Sequence, residues 1–220
     1  MKTTLLSAGL WLAAGLACAC QAQTNVLNRV SQGDPTSTAV ASATDTTAAN
    51  DSTIAMLDKV IASNGAGNKA ATVEALQTSS AALEQEAGKS TTSFKDKLMS
   101  QAGNLKKLIP LAQTGALGGN VLQKAIGLAK MAFAANKLQS LMGGGGSLLS
   151  NIGGLTSNLN VLKGALPLIG GGSSNTGNSL ISGALGGLSK LRQAGPAASA
   201  AEPAVRGQLN NVLGFVKGVL

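Results

Sequence analysis

Between Ser147 and Leu166 the apolar side chains fall at Leu148, Ile152, Leu155, Leu159, Leu162 and Leu166. Steps of four and three place all six on one stripe of a helix. Ser150, Asn151, Ser157, Asn158, Asn160 and Lys163 take the opposite face, and Pro167 follows. The plan recurs along the chain: a narrow aliphatic stripe, small or polar residues behind it, and a Gly or Pro stop.

Asp51 or Ser52 can cap a helix carrying Ile54, Leu57, Val60 and Ile61, which Asn64 to Asn68 ends. Lys69 to Ala87 carries Val73, Leu76 and Leu83, with Gly88 at the C′ position and an acidic side of Glu74, Glu84 and Glu86. From Thr92 to Ile109 the stripe is Phe94, Leu98, Ala102, Leu105 and Ile109, and Pro110 marks a stop or a kink. Leu117 to Met142 carries two rows. Val121, Ala125, Leu128, Ala132 and Ala135 make one, and Leu122, Ile126, Ala129 and Phe133 the other. A double row implies a wide buried face, so this helix is expected at the centre, with Lys130 and Lys137 on its exposed side. Gly143 to Gly146 ends it. Ser173 to Asn178 reads as a polar loop after Gly170-Gly171-Gly172. A helix then runs through Leu180, Ile181, Ala184, Leu185, Leu188 and Leu191 to Gly195-Pro196. The last helix starts with Pro203 at its first position and carries Val205, Leu209, Val212, Val216 and Val219. The expected fold is all-α: an irregular bundle of six or seven short amphipathic helices over residues 51–220.

Two segments precede the bundle. Residues 1–22 read as a secretory signal: Lys2, an apolar run from Leu5 to Leu16, then Ala17-Cys18-Ala19-Cys20-Gln21-Ala22. Small residues directly before a cysteine resemble a bacterial lipoprotein signal. Ala17 and Gly15 stand where that pattern has Leu, three residues before Cys20 and Cys18. Two processing routes therefore stand side by side. One lipidates Cys20, ahead of Cys18; the other cuts after Ala19 or Ala22. Residues 23–50 are rich in Thr, Ser, Ala, Asp and Asn without an apolar period, and are expected to form a disordered tether.

Composition narrows the core. The chain is 44% hydrophobic, yet has three Phe, no Tyr and a single Trp, Trp11, inside the signal segment. The bundle is then built from Leu, Ala and many of the chain's 29 Gly, which specify packing less sharply than a mixed core. The net charge of +8 is lopsided. From Gln21 to Phe94 four bases meet seven acids; from Lys95 to Leu220 twelve bases meet two, Asp96 and Glu202. A cationic helical surface suits anionic partners, with a soluble charged surface as the plain alternative.

Candidate chemistry is sparse. The chain has no His, which removes the commonest general base and metal ligand. No catalytic residue, cofactor or metal site is expected. The nearest Ser–Lys neighbours are Ser189-Lys190 and Ser100 with Lys97, and the glycine runs match no nucleotide-binding pattern. Gly115 and Gly119, Gly183 and Gly187, and Gly214 and Gly218 have the spacing that lets helix backbones approach closely. Leu117-Gly118-Gly119, Ile152-Gly153-Gly154 and Leu185-Gly186-Gly187 recur about every 34 residues, close to the period of a helical-pair repeat. The lysines stand mostly alone without aromatic neighbours, which disfavours nucleic acid as a partner. The chain reads as an exported, non-enzymatic envelope or secreted protein with a structural or interaction role. The alternative is a membrane-active protein whose cationic amphipathic helices associate with anionic bilayers.

The two processing routes separate under one substitution. On the lipoprotein route Cys20→Ala abolishes incorporation of a clickable fatty acid and releases the protein from the membrane fraction, while Cys18→Ala changes neither. Label retained by Cys20→Ala overturns the assignment to Cys20.

Overall fold

The computed structural model describes residues 45–144, 146–171 and 173–220, with the side chains of 45–51, Ser173 and Pro196 left aside. The signal segment, both cysteines and the tether as far as residue 44 lie outside the described residues. The described residues are all-helical, with seven α-helices and no strand among them. These are α1 (Asp45–Gly65), α2 (Lys69–Lys89), α3 (Lys95–Thr114), α4 (Gly119–Gly143), α5 (Ile152–Ile169), α6 (Ser173–Gln193) and α7 (Ala198–Val219). Single 3-10 turns, Leu148–Asn151 and Gly195–Ala197, lead into α5 and α7.

α4 is the shared wall of the bundle. One apolar cluster joins Leu57, Leu76, Leu83, Leu98 and Leu105 of α1–α3 to Leu122, Ile126, Ala129 and Phe133 of α4. A second joins Met131, Ala134, Ala135 and Leu138 of α4 to Leu155, Leu159, Leu162, Ile181, Leu188, Leu209 and Val216 of α5–α7. Phe94, just ahead of α3, sits in this second cluster. Five of the six stripe residues from Leu148 to Leu166 are buried, and Ile152 is half-buried.

Several boundaries differ from the sequence pattern, each for a local reason. α1 begins at Asp45, so residues 45–50 are helical. Gly88 lies inside α2, which ends when Ser90 turns extended and its N–H reaches the Ala87 carbonyl. Pro110, Pro167 and Pro203 lie inside α3, α5 and α7 rather than at a boundary. A proline strips the carbonyl four residues back of its helical partner. Here those residues are Lys106, Lys163 and Ser199, all exposed, so water can take the bond. Ser173 to Asn178 is helical, and the chain reverses ahead of it through Gly170 and Gly171, at φ of 72° and 84°.

Burial also reaches residues assigned to the outside. Lys130 is buried and the Lys137 side chain is only 14% exposed, because helices cover α4 on several sides. Asn158 is buried too, its amide donating to the Gly154 carbonyl at 2.8 Å.

Two glycines mark close helix approaches. A Cβ on Gly127 of α4 would stand 2.9 Å from the Leu168 Cβ and 3.3 Å from the Ala165 carbonyl of α5. On Gly177 of α6 it would stand 2.7 Å from the Phe215 ring of α7. Gly183, by contrast, is exposed in mid-helix with nothing within 4 Å of that position. Gly127→Ala is expected to destabilise the protein by about 1–3 kcal/mol, as overpacking does. Gly183→Ala is expected to stabilise it by about 1 kcal/mol through helix propensity. Thermal melts of the two variants check both signs.

Candidate functional site

Three acids of the first half tie helices together. Glu84 of α2 pairs with Lys106 of α3 at 2.7 Å, and Glu86 of α2 with Lys137 of α4 at 2.6 Å. Asp58 of α1 pairs with Lys130 of α4; the aspartate stays 57% exposed, so the lysine runs its buried stem outward to reach it. Lys137 and Glu86 are both mostly covered, so losing either would strand a charge. Beside them the Ser90 and Thr92 hydroxyls both donate to the Asn136 amide oxygen, tying the α2–α3 connection to α4.

A second polar centre sits where α4 gives way to α5. The Arg206 guanidinium of α7 donates to the carbonyls of Met142 and Gly146, both at 3.0 Å. It also donates to the Glu202 carboxylate at 3.1 and 2.8 Å. That carboxylate accepts in turn from the Leu148 N–H and the Ser147 hydroxyl, each at 3.1 Å. A cation thus meets the carbonyl end of α4 and an anion the N–H end of the helical segment after it, as the helix dipoles favour. The Arg206 hydrogen bond first, then the Leu148 N–H, hold the Glu202 carboxyl below the usual carboxylate range against the opposing effect of burial.

The folded pKa of Glu202 is lowered, so its ties stabilise fully above the ordinary carboxylate range. They fade as pH falls through the lowered folded value. The melting temperature of Glu202→Gln should therefore lie below wild type at neutral pH, with the gap closing as pH falls below the ordinary carboxylate range. A gap independent of pH overturns this role.

Clefts open where helices diverge. Between α4 and α7 two recesses of about 240 and 270 Å3 share Gln139, Asn210 and Leu213. Their polar groups are largely engaged. Gln139 accepts from Ser93 at 2.9 Å, Arg206 is held by Glu202, and the Lys217 ammonium lies 5.8 Å from the centre of the Phe94 ring. A cleft of about 450 Å3 between the start of α4 and the end of α5 is lined by Val121, Lys124, Pro167, Leu168 and Ile169, among others.

Another cleft, also about 450 Å3, lies between α5 and the end of α6. Gly153, Thr156, Ser157 and Asn160 form one stripe of α5 there, Leu149 and Ile152 border it, and Arg192 of α6 faces it. Among the described residues, the polar side chains of Thr156, Ser157, Asn160 and Arg192 have no hydrogen-bond or ion-pair partner. Thr72, Thr78 and Thr114 instead turn their hydroxyls back onto their own helix. The chemistry on offer is two hydroxyls, an amide and a guanidinium beside an apolar edge.

The sequence-selected residues lie elsewhere. Gly115 closes α3 at φ of 79° and Gly119 opens α4, so that pair does not share one helix. Gly187 faces Val205 and Gln208 of α7, and an added Cβ would overlap the Gln208 amide. Gly183, Gly214 and Gly218 have nothing within 4 Å. The aliphatic-Gly-Gly triplets straddle the start of α4, open α5 and lie in mid-α6, so the third does not share the place of the first two. Ser189, Lys190, Ser100 and Lys97 line none of these clefts. No three His, Cys, Asp or Glu side chains come together among the described residues. Comparison with protein-family models, curated proteins and solved structures finds no match for this chain. Ser157 and Asn160 were legible as a polar face, but Arg192 joins them only once α6 folds back along α5.

Proposed function

We propose that this chain is an exported, non-enzymatic protein of the cell envelope that acts by binding through a preformed helical surface. The observation that carries this reading is the internal use of the apolar stripes: each helix turns its aliphatic side onto α4 or a neighbour. Helices meant to enter a bilayer keep such a face available. None of the helices among the described residues is long and apolar enough to cross a membrane. The surface left for partners is cationic. From Ile152 to Leu220 there are five bases and one acid, and that acid, Glu202, is held by Arg206. Lys163, Lys190, Arg192 and Lys217 remain without a carboxylate partner among the described residues. The export half of the proposal rests on the sequence of residues 1–22 and not on the fold.

Far-UV circular dichroism with and without anionic vesicles tests the binding-surface reading against membrane insertion. Helix content is expected to be the same in both. A large rise in helicity with lipid overturns the proposal in favour of the membrane-active alternative.

A further inference from the structure

We propose that the cleft between α5 and α6 binds an acidic sugar, with Arg192 holding the anionic group and Thr156, Ser157 and Asn160 bonding the ring hydroxyls. The inference rests on the binding-surface reading above and names the partner's chemistry. Three features of the cleft carry it.

The first is charge. No acidic residue occurs between Asp96 and Glu202, so neither α5 nor α6 supplies a carboxylate to Arg192. A planar guanidinium with no partner, facing a cleft, suits a carboxylate or phosphate bound through two parallel hydrogen bonds.

The second is the kind of polar group that accompanies it. Hydroxyls and amides both donate and accept. A bare anion only accepts, and would leave the acceptor side of Thr156, Ser157 and Asn160 unused. Sugar hydroxyls match both roles. Thr156 and Asn160 stand one turn apart, so these groups are spread along about 5 Å of the cleft wall.

The third is the border. Leu149 is 41% exposed and Ile152 half-buried, giving an apolar edge against which the C–H face of a ring can lie. Gly153 has nothing within 4 Å of its Cβ position, which keeps that end of the cleft open. The volume of about 450 Å3 falls in the range of small-ligand sites. No aromatic side chain lines the cleft, so nucleobase stacking has no platform.

The test is calorimetric titration of the full mature chain with trigalacturonate, a phosphorylated hexose, inorganic phosphate and uncharged maltotriose. The expected result is binding of either acidic sugar, with none of maltotriose. Arg192→Ala should weaken it about tenfold or more, as loss of a charge-assisted hydrogen bond does. Lys190→Ala removes the same charge two residues away and outside the cleft, and should change the affinity by less than about twofold. Asn160→Ala should weaken sugar binding; inorganic phosphate binding as tight as the sugars and unchanged by it would reduce the cleft to a plain anion site and overturn the proposal. Equal losses in Arg192→Ala and Lys190→Ala would show diffuse attraction and overturn it as well, as would equal binding of maltotriose. Both substitutions are at exposed positions, and unchanged melting curves confirm that folding is not what is read. Binding of neither acidic sugar overturns the inference alone, provided helix content stays independent of lipid. Lipid-induced helicity removes the underlying reading too.

Discussion

The enclosure of α4 is the constraint on which the rest depends. Eight consecutive residues, Ala129 to Asn136, are buried, so this stretch is covered around its whole circumference. A helix covered in that way needs either an entirely apolar sequence or partners for every polar group. Lys130 and Asn136 interrupt the apolar run, and both are answered. Asp58 meets the first, and Ser90 and Thr92 meet the second. Lys137, one residue further, is met by Glu86. The positions of α1, α2 and the α2–α3 connection follow from these obligations as much as from the leucines around them.

Small side chains make that enclosure feasible. Ala129, Ala132, Ala134 and Ala135 let neighbouring helices approach α4, and Gly127 brings α5 closer still. Such surfaces interlock weakly, so orientation has to come from polar ties. The ion pairs supply them on one side of α4. On the other, Arg206 and Glu202 fix the exit of α4 and the entry to α5 together. The paired acids and the buried amide of Asn136 thus go to geometry, while the polar side chains of the α5–α6 cleft are held by no partner among the described residues.

Where one periodicity governs one face, the sequence was sufficient. The Leu148–Leu166 stripe reads as buried because spacing and side-chain type agree. The double row of α4 likewise pointed to its central place. Lys130 could not be read in the same way, since its burial depends on an aspartate 72 residues earlier. Pro167 and Pro203 mislead, and Pro110 leaves stop and continuation open, because a helix breaker costs little where the orphaned carbonyl faces water. Ser173 to Asn178 looks like a loop by composition, yet Gly177 tucks beneath Phe215 and Leu166 and makes the segment part of the packing. The α5–α6 cleft was half legible: its hydroxyl and amide stripe lies on one helix, while its arginine arrives from another.

The shared wall also has a consequence in time. Most helices pack on a chain neighbour: α1 on α2, α2 on α3, α4 on α5, α5 on α6 and α6 on α7. Contacts this local favour rapid folding. Both apolar clusters, however, draw on α4, and neither can close without it. A chain emerging from its N-terminus can form α1 to α3 but leaves their leucines open until Gly119 to Gly143 has followed. The same helix then offers its second side to everything still to come. α4 is therefore the step in synthesis at which exposed, adhesive intermediates give way to a structure that adds its remaining helices one at a time.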